Sequence, residues 1–297
     1  MPELPEVETV ARGLREHALG KCFESVEVRH PAVIVGPPDA FAQSLGGRRI
    51  EAVERKGKVL FVELARDGEP PRYLVVRLGM TGQLTIQRRE AALEPHTHVR
   101  IALVGGEKEL RFRDVRRFGN LRCLAREELD KFLAKLGPDA ERATVDEFLA
   151  AMRGRRGALK SWLMNQQALA GLGNIYADEA LFDARLHPLA EAGRVSHAKA
   201  LALYRAVRKI LARAVERQGT SFRDYLDIEG RPGRFRIRLK VYQRTGEPCR
   251  RCGSAIRRVV ITGRSSHFCP RCQPRPRRTA KMRGPRGVAG VRRAASR

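Results

Sequence analysis

The sequence lacks long apolar runs: no stretch approaches the roughly 18 residues that a membrane-spanning helix requires. Its N-terminus is charged rather than apolar, which excludes a secretory signal peptide. These two absences predict a cytoplasmic protein. Hydrophobic residues make up 42% of the 297 positions, and a chain of this length can form two domains with separate cores.

Acidic residues are scarce, with 33 Asp and Glu against 59 Lys and Arg, so the net charge is +26. Nine positive charges and no acidic residue lie in residues 273–297, and removing these nine from the net +26 leaves +17. Such a surplus indicates a polyanionic partner, most often nucleic acid, although a ribosomal or arginine-rich protein has a similar composition. The tail 273–297 is rich in Arg, Pro and Gly, and we predict that it is disordered.

Cysteine is also sparse, and disulfides are not expected of the six cysteines in a cytoplasmic chain. Four of them follow the pattern C-x2-C-x16-C-x2-C, which is zinc-ribbon spacing: Cys249, Cys252, Cys269 and Cys272. Four thiolates fill a tetrahedral zinc site, so this zinc would be structural; a redox or disulfide arrangement is the alternative. The hairpin between the two pairs would present a basic tip made of Arg257, Arg258, Arg264 and His267.

Periodicity divides the chain into an N-terminal helix, a strand-rich part and a helical part. Residues 1–18 predict the helix, with Pro2 at its first position. Short strand patterns separated by Gly and Pro turns continue to about Leu124, which is typical of an antiparallel sandwich or barrel. Helical patterns follow, including one over 158–169 and a long one that starts near Ser196 and stops at Gly219.

The stretch GLGNIYADEALF, residues 171–182, predicts a tight turn followed by a new helix. Gly171 and Gly173 permit the turn, and the helix would begin at about Asn174. Backbone N–H groups at a helix start bind phosphate, and the Asn174 side chain offers a further donor. A Gly-x-Gly between helices is a weak signal alone, but in a basic chain it favours a grip on DNA phosphate.

Two further stretches, RLGMTGQL and RDVRRFGNL, resemble turns at strand ends. Apolar side chains there can enter a base stack, and an Arg can fill the space of a removed base. Met80, Arg116 and Phe118 are the candidates, although pattern alone favours Met80 and Phe118 as core residues. Lys58, after the turn KGK, is by pattern either a functional or an ordinary surface lysine.

These stretches resemble, in order, those of bacterial formamidopyrimidine-DNA glycosylases. The matching segments, which run from residue 1 to 272, are MPELPEVETVARGL, RKGKVLF, RLGMTGQL, RDVRRFGN, LMNQQALAGLGNIYADEALF, LKVYQRTGEPC and the zinc ribbon. The resemblance implies an α+β fold in four parts: an N-terminal helix with an antiparallel β-sandwich (1–125), a helix-two-turn-helix domain (126–230), a lesion-adjacent loop with a zinc ribbon (231–272), and the basic tail (273–297). It also implies a monomer that carries one zinc ion and binds duplex DNA containing oxidised purines, in the bacterial cytoplasm at the nucleoid.

The activity that the resemblance implies is base-excision repair of 8-oxoguanine and formamidopyrimidine lesions, with strand cleavage as an AP lyase. The initiator Met is removed, and the amine of Pro2 is the nucleophile that forms a Schiff base. Glu3 would protonate the sugar ring oxygen, and Glu6 would help to hold the terminus and the sugar. Lys58 would contact phosphate and donate a proton in β-elimination, and Arg264 would grip phosphates and act in δ-elimination.

The resemblance also implies a set of DNA contacts, and Met80, Arg116 and Phe118 would fill the space left by the flipped nucleotide. The implied DNA-contacting residues are Arg77, His96, Arg116, Arg155, Asn174 and Tyr242. Two positions depart from the family, because Arg77 replaces a histidine of some members and Arg155 a lysine; both swaps keep a donor. The stretch GRPGRFRIRLKVYQR is richer in Arg than the family pattern, so lesion preference is less defined than reaction type.

Two other functions stay open. An endonuclease VIII-like enzyme for oxidised pyrimidines is disfavoured by the start PELPEVET and by the complete Met80, Arg116 and Phe118 set. A non-catalytic DNA-binding paralogue would be expected to lack Pro2, Glu3 or Lys58, and all three are present.

Overall fold

The computed structural model describes residues 2–220, 226–231, 233, 235 and 239–275. The predicted tail therefore lies outside the described residues from position 276 onward, as does part of the predicted lesion-adjacent loop. Among the described residues, none of the helices combines the length and apolarity needed to cross a bilayer.

The first helix, α1, spans Leu4–Ala18, so the prediction that Pro2 occupies its first position is wrong. Glu3 is the N-cap with extended backbone angles, φ −108° and ψ −168°, and Pro5 takes the place in the first turn that suits proline. The Glu3 N–H donates to Glu6 Oε2 at 2.8 Å. The helix therefore starts after Glu3, whose carboxylate accepts the N–H groups of residues 173 and 175.

Eight strands form two four-stranded antiparallel sheets, as the strand pattern predicts. The first sheet has the order β1-β6-β7-β5 and the second β2-β3-β4-β8. The strands are β1 (Phe23–Val28), β2 (Arg49–Lys56), β3 (Val59–Arg66), β4 (Glu69–Arg77), β5 (Gly82–Arg88), β6 (Thr97–Leu103), β7 (Lys108–Asp114) and β8 (Asn120–Leu124). A short helix, α2 (Pro38–Leu45), packs against β1 and β8. The apolar face of α1, with Val7, Val10 and Leu14, belongs to the same buried core as side chains of both sheets.

In the described residues after β8, five α-helices build the second half of the chain. They are α3 (Arg126–Ala134), α4 (Val145–Met152), α5 (Leu159–Met164), α6 (Asn174–Asp183) and α7 (His197–Glu216). The predicted helix 158–169 is shorter than expected, because Asn165 begins a turn in which its side chain accepts the Gln167 N–H at 3.0 Å. A second core gathers Trp162, Tyr176 and Leu203 with other buried side chains of these helices.

The C-terminal part is a two-stranded hairpin, β9 (Arg257–Ile261) and β10 (Arg264–Phe268), on a small core with Cys249, Ile256 and Cys269. Gln273 belongs to this unit rather than to the tail where the sequence places it. It is fully buried, accepts the Cys269 N–H at 2.9 Å and donates to Leu186 O at 2.7 Å. The bond to Leu186 reaches the helical part, a contact that sequence pattern does not reveal.

Arg55 joins the sandwich to the helical part. Its side chain is fully buried, and it donates to Glu8 Oε2 at 2.9 Å on α1 and to Asp139 Oδ2 at 2.7 Å after α3. Asp139 also accepts the Gly57 N–H at 2.7 Å. The turn that carries Lys58 is thereby held against the start of the helical part.

Candidate active site and nucleic-acid interface

The candidate site lies where the beginning of α1 meets the beginning of α6. Pro2 and Glu3 are buried there. Glu3 Oε2 accepts the Gly173 N–H at 2.7 Å, and Glu3 Oε1 accepts the Ile175 N–H at 2.9 Å. A carboxylate at this point satisfies unpaired amides of the first turn of α6 and complements its helix dipole.

Gly173 permits a close approach of three chain segments. A Cβ at this position would lie 2.5 Å from Glu3 Cδ and 2.6 Å from Lys58 Nζ. The Glu3 carboxylate and the Lys58 ammonium therefore border the same small space, although 55 positions separate them in sequence. A side chain larger than hydrogen would displace one of them.

Lys58 enters the site from the turn between β2 and β3. Gly57 has φ +59° and its backbone packs on Ala170, where a Cβ would lie 2.7 Å from the Ala170 Cβ. Burial lowers the pKa of Lys58, and the charge of Arg264 acts in the same direction, while Glu3 and Glu6 oppose both. A lysine with a lowered pKa releases its proton more easily, which suits a group that transfers protons.

Glu6 connects the N-terminal segment to Tyr176 of α6 and to Thr220, which follows α7. Its Oε2 accepts the Glu3 N–H, and its Oε1 accepts the Tyr176 hydroxyl and the Thr220 N–H, both at 2.6 Å. Burial, and next the charge of Glu3, raise the pKa of Glu6. Sequence reasoning missed Tyr176 and Thr220 as partners; Tyr176 lies within the quoted GNIYADE stretch.

Asn174, at the start of α6, and Tyr242 form a neighbouring pair. Asn174 Nδ2 donates to the Tyr242 hydroxyl at 3.5 Å, and Asn174 Oδ1 is buried without a hydrogen-bond partner in the part of the chain that the structure describes. Burial raises the pKa of Tyr242, and the charge of Arg264 opposes this shift. Arg264 begins β10, the strand that packs against α6.

Two acidic residues of α6, which sequence reasoning did not single out, attach the zinc hairpin and the segment that precedes the ribbon. Asp178 accepts Lys160 Nζ at 2.7 Å, the Ser266 hydroxyl at 2.8 Å and the His267 N–H at 2.8 Å. Glu179 accepts three successive N–H groups, those of residues 240–242, at 2.9–3.0 Å. The prediction that His267 belongs to an exposed basic tip is therefore wrong, because this ring is buried against Asp178.

The two turns predicted to enter the DNA stack lie against each other. Phe118 is 56% exposed, so its interpretation as a core residue is wrong, and Met80 is half-buried. The Arg116 guanidinium lies 4.6 Å from the Phe118 ring centroid. Gly79 has φ +64°, and a Cβ there would lie 2.5 Å from the backbone of residues 118 and 119. The three candidate side chains thus belong to one surface.

Three other residues predicted to contact DNA have exposed side chains. Arg77 ends β4, and His96 precedes β6 with φ +67°. Arg155 lies between α4 and α5 and donates to Ala151 O at 3.2 Å within its own segment. Among the described residues, neither Arg77 nor Arg155 contacts the carboxylate of Glu3 or Glu6.

The four predicted zinc ligands come together. One ligand atom from each of Cys249, Cys252, Cys269 and Cys272 lies within 4.8 Å of all the others. The Sγ separations include 4.0 Å for Cys249 and Cys272 and 3.5 Å for Cys252 and Cys269. A tetrahedral zinc ion with Zn–S bonds of ~2.3 Å places sulfurs about 3.8 Å apart, so the cluster fits zinc.

Family models match the chain in the same order as its structural parts. Residues 1–121 match the formamidopyrimidine-DNA glycosylase N-terminal domain, and residues 135–225 match the H2TH domain of the same enzymes. Residues 246–275 match a zinc finger found in these glycosylases and in isoleucyl-tRNA synthetase.

Relatives and solved structures agree with these matches. The chain is 44% identical to a formamidopyrimidine-DNA glycosylase of Symbiobacterium thermophilum, over 93% of this chain and 90% of that protein. It is 46% identical to the enzyme of Heliobacterium modesticaldum, over 92% and 100%. A Lactococcus lactis mutant enzyme bound to DNA with a formamidopyrimidine lesion superposes with a TM-score of 0.85 at 33% identity, covering 92% of this chain and all of that one.

The β-sandwich, the buried carboxylates at the amino terminus, the helix-two-turn-helix unit and the four-cysteine finger define a zinc-containing DNA repair glycosylase. The chain belongs to the formamidopyrimidine-DNA glycosylase family. It is accordingly an enzyme with one structural zinc ion.

Proposed function

We propose that this enzyme excises 8-oxoguanine and formamidopyrimidine bases from duplex DNA and then cleaves the strand at the abasic site. The convergence of Glu3, Glu6 and Lys58 on the amino terminus carries this proposal. Related structures were solved with DNA containing a formamidopyrimidine, a carbocyclic 8-oxoguanine analogue or an abasic site. A chain terminus surrounded by two carboxylates and a lysine suits an amine nucleophile.

The reaction begins at Pro2 after removal of Met1. An α-amine has a pKa of about 8, so a usable fraction is unprotonated at neutral pH. The nitrogen lone pair attacks the sugar C1′, the bond from C1′ to the damaged base breaks, and the base leaves with the electron pair and takes up a proton. Glu3 delivers a proton to the sugar ring oxygen, and the ring opens to give an iminium between Pro2 and C1′.

Strand cleavage follows from the iminium, which acidifies the protons on C2′. Loss of a C2′ proton expels the 3′ phosphate by β-elimination, and a second elimination expels the 5′ phosphate. Lys58 contacts phosphate and passes a proton in the first elimination, for which its lowered pKa is suited. Arg264 grips the flanking phosphates and serves the second elimination.

DNA binding uses both halves of the molecule. Asn174, Tyr242 and Arg264 hold phosphates beside the lesion through the Asn174 Nδ2 amide, the Tyr242 hydroxyl and the Arg264 guanidinium, because Glu3 already occupies the N–H groups of residues 173 and 175 at the helix start. Arg77, His96 and Arg155 extend the contacts. Met80, Arg116 and Phe118 fill the gap after the nucleotide is flipped out.

The same proposal covers the organisation of the chain. We assign the four parts the bounds 1–125, 126–230, 231–272 and 273–297, except that Gln273 packs with the ribbon. The enzyme would act as a monomer in the bacterial cytoplasm, bound to the nucleoid through its affinity for DNA.

Borohydride trapping tests the proposal. Wild-type enzyme lacking Met1 is incubated with a duplex containing 8-oxoguanine opposite cytosine, reduced, and analysed by mass spectrometry. We expect a covalent adduct on the Pro2 peptide. The matched control carries an uncleaved N-terminal extension, which turns the Pro2 nitrogen into an amide and should abolish the adduct while leaving duplex binding intact.

Absence of an adduct from a wild-type enzyme that binds the duplex would overturn the proposal for this lesion. A thymine glycol duplex is run in parallel, because a Lactococcus lactis relative was solved with DNA containing an oxidised pyrimidine. Faster trapping on thymine glycol would favour the pyrimidine-specific alternative, and trapping on neither duplex would favour a non-catalytic binding protein.

A further inference from the structure

Asp114 is a fully buried carboxylate at the end of β7, directly before the turn that carries Arg116 and Phe118. Burial of a carboxylate is unfavourable unless its oxygens are well hydrogen-bonded. The described partners of both oxygens are N–H and O–H donors of the two adjoining turns, residues 78–82 and 115–119. The Asp114 carboxylate therefore connects these two turns.

The carboxylate binds the backbone on both sides of Phe118. Asp114 Oδ2 accepts the Gly119 N–H at 2.7 Å, and Oδ1 accepts the Arg116 N–H at 3.3 Å. The Arg117 N–H also donates to the Asp114 backbone oxygen at 3.3 Å. Asp114 thus accepts the backbone N–H groups of residues 116, 117 and 119.

Thr81 connects this turn with the turn that carries Met80. Its hydroxyl donates to Asp114 Oδ1 and accepts the Arg116 N–H at 3.0 Å. Because Thr81 directly follows Met80, the position of Met80 is coupled to that of Arg116 through this hydroxyl.

The backbone of Asp114 extends the connection to a third segment. Its N–H donates to His96 O at 3.1 Å, and its carbonyl lies 2.8 Å from His98 Nε2. His96 is one of the residues assigned to DNA contact. One buried aspartate therefore links the segments that carry four of the proposed DNA-contacting side chains.

We propose that Asp114 and Thr81 are positioning residues that hold Met80, Arg116 and Phe118 at the spacing needed to fill the gap left by the flipped nucleotide. This inference rests on the proposed function. Neither residue touches the DNA; both act through the backbone of the two turns, so that Met80, Arg116 and Phe118 are in place before a lesion is bound.

Three substitutions and one control test the role. Thr81→Val removes the bridging hydroxyl at nearly constant volume, and Thr81→Ser restores it. Asp114→Asn keeps the shape but turns one acceptor into an NH2 donor, which must face an N–H or O–H donor of this network. Thr85→Val, on β5 and outside this network, is the matched control.

The first readout is single-turnover excision of 8-oxoguanine compared with strand cleavage at a preformed abasic site. We expect Thr81→Val and Asp114→Asn to slow excision on the order of 10- to 100-fold, as misplacement of positioned groups does, with a much smaller loss at the abasic site, where no base must be extruded. Thr81→Ser should recover the wild-type rate, and Thr85→Val should retain it.

The second readout is the fluorescence rise of 2-aminopurine next to the lesion, which reports unstacking independently of chemistry. Thr81→Val should reduce its amplitude or rate. Wild-type behaviour of Thr81→Val in both readouts would overturn the positioning role, as would equal losses on both substrates together with a lowered Tm. A wild-type enzyme that unstacks the lesion without excising it would refute the proposed function alone.

Discussion

At the scale of single residues, the site depends on how closely Glu3 and Lys58 approach the backbone of residue 173. Gly173→Ala would place a methyl group 2.5 Å from Glu3 Cδ and 2.6 Å from Lys58 Nζ. We expect kcat for 8-oxoguanine excision to fall on the order of 100-fold with the fold retained, because a small displacement of reacting groups is costly. Single-turnover kinetics and circular dichroism measure the two effects.

Gly46→Ala is the matched control for this substitution, because a Cβ there meets only Ala42 O at an ordinary 3.7 Å. It should leave excision unchanged. Equal activity of Gly173→Ala and Gly46→Ala would show that the close approach at residue 173 has no catalytic importance.

The lowered pKa of Lys58 predicts a pH dependence of stability. Between this lowered pKa and 10.5, the unfolded chain binds more protons at Lys58 than the folded chain does. The contribution of Lys58 to the free energy of unfolding therefore rises with pH through this window. The difference in unfolding free energy between wild type and Lys58→Met, measured by urea unfolding at several alkaline pH values, should shift in favour of the wild type as pH rises.

Lys21→Met, on an exposed lysine, should show no such trend, and parallel profiles for wild type and Lys58→Met would contradict the argument.

At the scale of elements, α6 is the helix on which the site and the zinc hairpin are assembled. Its start binds Glu3, and its middle holds the hairpin through Asp178 and residues 240–242 through Glu179. The Lys160–Asp178 pair is almost completely buried, so Asp178→Asn would leave a buried ammonium without its counter-charge. We expect a loss of about 3–5 kcal/mol in the free energy of unfolding, measured in urea.

The exposed pair Arg126 and Asp130 on α3 supplies the control for Asp178→Asn. Asp130→Asn should change stability little, since exposed ion pairs contribute little. Similar effects of the two substitutions would mean that the Lys160–Asp178 pair does not stabilise the attachment of the hairpin.

The zinc hairpin is the second element with a testable role. Cys249→Ser removes one of four ligands, and we expect loss of the zinc ion together with loss of DNA cleavage, because Arg264 begins a strand of that hairpin. Metal content and cleavage of a lesion duplex measure both. Cys22→Ser, which alters a cysteine outside the cluster, should change neither; full cleavage by zinc-free Cys249→Ser would contradict the assignment.

At the scale of the whole molecule, the net charge of +26 predicts DNA binding that weakens steeply with salt. A chain ending at Arg275 lacks eight further positive charges. We expect its plot of log affinity for undamaged duplex against log salt concentration to be less steep, by roughly 0.9 for each phosphate contact that the tail supplies. Single-turnover excision should stay at the wild-type rate, and identical slopes would show that the tail does not contact DNA.

The strands, the helices and the zinc cluster were largely predictable because each depends on a local pattern. Alternation in β6 and β7, helical periodicity in α7 and the spacing of the four cysteines all reflect repeats within a short stretch. The candidate side chains were also predictable by type, since Glu3, Lys58 and Asn174 lie in distinctive motifs. Their roles as catalytic and DNA-contacting residues stay predictions.

What sequence alone determined was therefore the kind of elements present, the zinc site and the basic character of the protein. Tertiary structure alone decided that Glu3 caps a helix that begins 171 positions later, that His267 and Gln273 are buried, and that Asp114 connects two turns. The physical reason is that hydrogen bonds of this kind depend on where the backbone brings distant segments together. Periodicity and composition describe neighbours along the chain, and they contain no measure of that path.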